Sequence, residues 1–236
     1  MPAAASRVRE VLGWLEAAGT KKTRDSYARY GIDAPKAFGV SLVDIQKIAK
    51  RVGRDHDLAL ALWETGWYDA RLLTAFIDDP AKVTAAQMDR WARDFDNWGV
   101  CDTLCFKLFD KTPHAWKKVD QWAPKKPEFV RRASFALIAS LGVHDKKAPD
   151  ELFLRRLPLI ENAASDDRNF VKKGVSWALR VVGRRSVVLH EASLALALRL
   201  AESPEASARW IGRDAARELT GAVVKRQLAK RAAKRR

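Results

Sequence analysis

Two stretches of this 236-residue chain write the same line. Residues 129–142 read FVRRASFALIASLG and residues 170–183 read FVKKGVSWALRVVG. Each opens with an aromatic residue, a valine and two cations, runs apolar, and closes on glycine. The phase returns a third time. Phe129, Phe170 and Trp210 each have a cation three residues on (Arg132, Lys173, Arg213) and an apolar residue nine on (Ile138, Leu179, Leu219). The two intervals, 129 to 170 and 170 to 210, are 41 and 40 residues. Tyr68, Arg71 and Ile77 fit the same template earlier in the chain. Phe95 and Leu104 fit it too, with Trp98 in place of the cation.

A period of that length is the signature of two-helix solenoid repeats of the HEAT type. A helix pair cannot bury its apolar face alone, so it stacks on its neighbours and sets equivalent helices side by side. Helical periodicity covers nearly all of the chain, and no segment alternates as a strand does. Residues 57–77 predict two helices broken near Gly66. Further helices are predicted over 84–95, 98–109, 127–141, 150–163, 166–182, 187–202 and 205–219. Ser165 or Asp166 can cap a helix start, Pro127 and Pro204 suit first turns, and Gly142 and Gly183 suit C-terminal stops. The expected fold is all-α, a HEAT-like helical-repeat solenoid with a concave basic surface. Residues 1–222 are expected to form one solenoid domain. Residues 223–236 are expected to form a basic C-terminal tail, either folding on a partner or remaining a disordered tether.

Charge narrows the partner. Lys and Arg outnumber Asp and Glu by 44 to 29, a net +15. The stretch KRQLAKRAAKRR at 225–236 holds seven cations and no acid, so the remaining body keeps +8. Such an excess attracts polyanions, and a row of Arg and Lys along a curved wall can track a phosphate backbone. Each cation taken singly could equally be solvated on the outer face. With 47% hydrophobic residues the chain is globular rather than disordered. No unbroken apolar run is long enough to span a bilayer, and the N-terminal MPAAASRVREVLGWLEAAG has no uninterrupted apolar core of a secretory signal. Cys101 and Cys105 lie four apart with no His or further Cys nearby, so they are expected to pack as small apolar side chains, in a reducing cytoplasm. Walker loops, dinucleotide glycine fingerprints, HExxH zinc motifs and Gly-x-Ser-x-Gly elbows are all missing. No metal and no cofactor is expected.

The segment DFDNWGVCDTLCFKLF at 94–109 holds the most unusual chemistry. Trp98 and Asp102 are four apart, so on a helix they share one face, beside an apolar stripe of Cys101, Leu104, Cys105 and Leu108. An aspartate near a helix start also serves as a dipole or capping partner, and that alternative stays open. In the repeated line only the second copy carries a large ring at its centre: Trp177 stands where the first copy has Ala136. A core role is the competing reading for that tryptophan. The four histidines are scattered and join no motif.

These residues, in order, resemble the AlkD-type DNA alkylation repair glycosylases. The resemblance rests on ARY at 28–30 followed by FGV at 38–40, NWGVCD at 97–102, FVRRASFALIA at 129–139 and NFVKKGVSWALR at 169–180. It runs through most of residues 7–220. It implies excision of cationic N-alkylpurines, such as N7-methylguanine and N3-methyladenine, from duplex DNA. It also implies a catalytic cluster of Trp98, Asp102 and Trp177, an arginine that helps hold DNA at Arg132 with Arg131 as its neighbour, and a tyrosine at Tyr30. Lys172, Lys173 and Arg213 extend the DNA-binding set from the repeated row. The family is thought to act on the sugar without a deep base pocket. The expected partner is alkylated duplex DNA, gripped by a monomer, with no membrane. Two rival readings are a non-catalytic relative that binds unusual DNA structures, and a helical scaffold for an acidic protein or RNA.

Overall fold

The computed structural model describes residues 2–233, with side chains for residues 5–231. The described residues form fifteen α-helices and two short 3-10 turns, with no strand. Contacts divide the chain into two compact units, residues 1–114 and 115–236.

The first unit holds α1 (Pro2–Ala18), α2 (Lys21–Ser26), a 3-10 turn (Ala28–Tyr30), α3 (Leu42–Val52), α4 (His56–Glu64), α5 (Tyr68–Ile77), α6 (Ala85–Arg93), α7 (Trp98–Lys107) and a second 3-10 turn (Phe109–Lys111). Polar caps start five of these helices, α2 through Thr20, which accepts the Thr23 N–H. Ser41, Asp55, Thr84 and Asn97 each accept a backbone N–H from the first turn of α3, α4, α6 and α7. Helix α5 packs against α3 and α7. The core of this unit includes Trp63 of α4 stacked on Trp91 of α6, with ring centroids 4.2 Å apart and planes 7° from parallel. Such a pair adds about 0.5–1.5 kcal/mol beyond its buried area. The predicted break near Gly66 falls between α4 and α5.

Asp69, wholly buried in the first turn of α5, fastens the loop that carries FGV. Its carboxylate accepts the Phe38 N–H at 2.6 Å, the Val40 N–H at 2.9 Å and the Tyr27 hydroxyl at 3.3 Å. Between the two amides lies Gly39 with φ +85°, where a Cβ would sit 2.4 Å from the Thr20 carbonyl oxygen. Only glycine fits that conformation and that approach.

The second unit holds α8 (Ala115–Trp122), α9 (Glu128–His144), α10 (Asp150–Leu154), α11 (Leu157–Asn162), α12 (Asn169–Val182), α13 (Val187–Ala201), α14 (Ala206–Leu219) and α15 (Ala222–Ala233). Helix α12 packs between α9 and α14, so the three copies of the repeated line lie side by side. Side chains cross from one copy to the next at a constant offset of 38 residues. Arg132 Nη1 donates to the Phe170 carbonyl at 2.6 Å, Ser176 Oγ to Asp214 at 2.7 Å, and Arg180 Nη1 to Glu218 at 2.6 Å. The opening aromatics meet as well, with the Phe129 and Phe170 rings 5.3 Å apart.

Three sequence expectations change. The stretch 150–163 is two short helices, α10 and α11, turned at Arg156, whose guanidinium reaches the Leu152 carbonyl and the Asp120 carboxylate. Gly142 does not stop α9, which runs on to His144. A Cβ there would lie 2.7 Å from Val181 Cγ1, so the small residue serves helix contact. Neither Ser165 nor Asp166 caps α12, which starts at Asn169 after Arg168, because the Asp166 carboxylate is engaged by Arg131 and Arg168. The basic tail is helical from Ala222 to Ala233, with Val224 and Leu228 buried beside Leu219; residues 234–236 lie outside the described residues.

Candidate functional site

In the first unit the structure brings together three of the expected residues, Tyr30, Trp98 and Asp102. Trp98 opens α7, and its indole Nε1 donates to the Tyr30 carbonyl at 2.8 Å. The ARY turn thus holds the tryptophan by backbone, while the Tyr30 ring itself is 56% exposed. Asn97 fixes the start of α7 by accepting the Val100 N–H at 3.0 Å. One turn later Asp102 stands half-buried beside half-buried Trp98, as four-residue spacing requires. Cys101 and Cys105, on the inner face of the same helix, are fully buried thiols outside any disulfide, and burial pushes the Cys105 thiol well up.

Trp98 and Asp102 share one cavity of about 230 Å³. Tyr27, Tyr68, Leu72 and Thr103 are among its other walls. The Tyr27 and Tyr68 rings are 5.0 Å apart and tilted. Burial, and then Asp69, pushes both phenols above their ordinary range, so both keep their protons. Gly99 lets α7 come close: a Cβ there would lie 2.6 Å from the Tyr68 hydroxyl. Tyr27 and Asp69 had no signal of their own in the sequence. Tyr68 stood only in the repeat template.

In the second unit, α12 carries Lys172, Lys173 and Trp177, and α14 carries Trp210 and Arg213. Lys173 is exposed, and Trp177, one turn on along the same face, is half-buried. Ala136, which occupies that phase in α9, is wholly buried. Lys172 Nζ lies over the Trp210 ring, 5.1 Å from its centroid, and that ring is 41% exposed. Arg213 is exposed and lines a groove along α14 with Arg209, Trp210 and Arg217. Trp210 is the residue that the expected site omitted, although it opens the third copy of the repeated line.

The two arginines of α9 are occupied differently. Arg131 pairs with Asp166 at 2.8 Å. The Arg168 hydrogen bond, reinforced by Arg131, holds the Asp166 carboxyl below the usual carboxylate range. Arg132 is only 6% exposed and serves the α9–α12 contact through the Phe170 carbonyl. Among the described residues no group of three or more His, Cys, Asp or Glu side chains could hold a metal ion, and no helix is long and apolar enough to cross a membrane.

A family model described as DNA alkylation repair enzyme matches residues 11–219. The chain belongs to that family. A solved structure from a family related to the HEAT-like repeat DNA glycosylases, with affinity for branched DNA structures, shares the fold. Its TM-score is 0.73 at 22% identity, over 89% of this chain and 94% of that one. A designed armadillo repeat protein in complex with a (KR)4 peptide matches with a TM-score of 0.38 at 10% identity, over 81% of each chain. No curated protein matches the chain. The fold is therefore that of the HEAT-like repeat DNA glycosylases, and NWGVCD, which supplies Trp98 and Asp102, lies inside the family match.

Proposed function

We propose that this protein is a DNA glycosylase that removes cationic N-alkylpurines from duplex DNA. The observation that carries the reading is the pairing of Trp98 and Asp102 on one face of α7, both in the wall of one cavity, in a chain of this family. An N7- or N3-alkylated purine already carries positive charge, so it departs without general-acid assistance. The C1′–N bond breaks with its electron pair going to the base, which leaves neutral, and the sugar becomes oxocarbenium-like. The Asp102 carboxylate stabilises that cation and orients a water molecule. The water adds to C1′ and loses a proton, leaving an abasic sugar. The indole faces of Trp98 and Trp177 favour the positive charge of the deoxyribose. Lys173 and Arg213, both exposed, contact phosphates; Lys172, Arg131 and Tyr30 complete the DNA-binding set. Arg132 supports that set from beneath. The protein acts as a monomer in a cytoplasm, on nucleoid DNA.

Incubation with methylated duplex DNA tests the reading. The proposal predicts free N7-methylguanine and N3-methyladenine in the supernatant, with the phosphodiester backbone unbroken. Duplex binding without release of either base contradicts it. Tighter binding to junctions than to linear duplex, with no release, would favour the DNA-structure binder instead.

A further inference from the structure

The C-terminal helix α15 is seated by one apolar stripe and leaves the rest of its surface charged. Val224 and Leu228, four residues apart, are buried beside Leu219 of α14, with Leu194 of α13 packed against them. Near its end the Arg231 guanidinium donates to the Arg184 and Arg185 carbonyls, just past the end of α12. These two anchors fix which way the helix faces. By helical phase Arg226 and Lys230 point away from the Val224–Leu228 stripe, and Lys225 flanks it. All three are exposed and make no hydrogen bond or ion pair among the described residues.

No acid close in the chain neutralises them. Residues 219–236 contain no Asp or Glu. The two acids before that stretch are already engaged, Asp214 by Arg217 and Arg180, and Glu218 by Arg180 and Arg184. Burial, with Arg231 nearby, lowers the Arg185 guanidinium's pKa against the pull of Asp150 and Asp145. Docking α15 therefore crowds like charges, a cost that a bound anion offsets.

The surroundings choose among polyanions. A helix that binds a lipid surface inserts its apolar face, and here that face is already covered by Leu219. A protein interface has an apolar or aromatic centre, whereas Val223 is the one large apolar side chain exposed on the described part of α15. Duplex DNA asks only for cations along a rod. The helix runs about 18 Å, and a duplex presents about one phosphate charge per 1.7 Å alongside it.

We infer that α15 is a second DNA-binding element, holding the phosphate backbone of duplex DNA through Lys225, Arg226 and Lys230 whether or not the duplex is damaged. The choice of DNA as partner rests on the glycosylase reading above. The consequence is a division of labour. Part of the affinity for undamaged duplex, which keeps the protein on DNA between lesions, is carried by a helix that holds none of the candidate catalytic residues.

The test is the triple variant Lys225→Gln/Arg226→Gln/Lys230→Gln in the whole chain, which leaves Val224, Leu228 and Arg231 in place. On undamaged duplex the slope of log affinity against log salt should fall by about 2.7, three contacts at about 0.9 each. Affinity at about 0.1 M salt should drop at least tenfold, and by the same factor for methylated and undamaged duplex. Single-turnover release of N7-methylguanine at saturating protein should stay within about twofold of wild type, because the variant touches binding and not the chemical step. The charge-preserving variant Lys225→Arg/Arg226→Lys/Lys230→Arg should keep the wild-type slope. An unchanged slope in the triple Gln variant overturns the inference, and so does an equal fall in the charge-preserving one, which would assign the loss to the fold. Vesicles of phosphatidylglycerol and phosphatidylcholine test the lipid alternative: binding that the Gln variant abolishes, beside an unaltered DNA slope, would give α15 to a membrane instead. Absence of release by wild type would overturn the glycosylase reading alone, and a fall in slope would still uphold α15 as a DNA contact.

Discussion

At Arg132 a cation that the sequence marks for DNA turns inward. Its exposure is 6%, and its guanidinium holds the Phe170 carbonyl. Removing a charged donor from a buried carbonyl costs about 1.5–3 kcal/mol. Arg132→Ala should therefore lower the unfolding free energy by that much and leave the salt dependence of duplex affinity unchanged, as denaturant titration beside salt-dependent binding would show. A flatter salt slope with unaltered stability would put Arg132 on phosphate instead. Trp98 and Asp102 were legible because a four-residue spacing on a helix fixes a shared face whatever the tertiary structure. Tyr27, Tyr68 and Asp69 were not. Their meeting depends on the FGV loop folding back on α5, a contact between residues about thirty apart in the chain that no local pattern encodes.

Helix contacts set the next scale. Gly212 on α14 touches the end of α13 so closely that a Cβ would lie 2.2 Å from the Ala201 nitrogen and 2.5 Å from the Ala197 carbonyl oxygen. Those atoms are backbone, so a single methyl must part the two helices. Gly212→Ala should destabilise the protein by about 2–3 kcal/mol despite alanine's better helix propensity, and a melting curve decides it. The Arg131–Asp166–Arg168 cluster, at the entry to α12, makes a pH prediction. The carboxyl of Asp166 titrates lower in the folded chain than unfolded, so the unfolded chain binds the proton first as pH falls. Its contribution is complete above the ordinary aspartate pKa of about 3.9 and fades as pH drops through the folded value. The stability gap between wild type and Asp166→Asn should be open at pH 7 and close in acid; a gap that persists under acid would contradict it. Helix existence was legible from the apolar period over 166–182, 187–202 and 205–219. Helix ends were less so, because Asp166 and Gly142 carry the residue types of caps and stops and are used for an ion pair and a helix contact.

On the scale of the whole molecule, the repeated line decided the fold, because a 40-residue period admits few architectures. The same row says which cations remain open. Lys173 and Arg213 are exposed at equivalent positions of α12 and α14. If both meet phosphate, each alanine substitution should lower the slope of log affinity against log salt by about 0.9, and the two together by about twice that. An unchanged slope in the double variant would move the DNA off this face. Charge alone would have supported a scaffold for any polyanion as readily as an enzyme. What separates them is a carboxylate beside an indole in a cavity free of lining cations. The most direct test is single-turnover release of N7-methylguanine from methylated duplex, wild type beside Asp102→Asn, with protein in excess so that binding does not limit. The account predicts release by wild type and a rate about a hundredfold or more lower in the variant, with duplex affinity retained. Equal rates would show that the bond breaks without this carboxylate, and the mechanism built on it would be wrong.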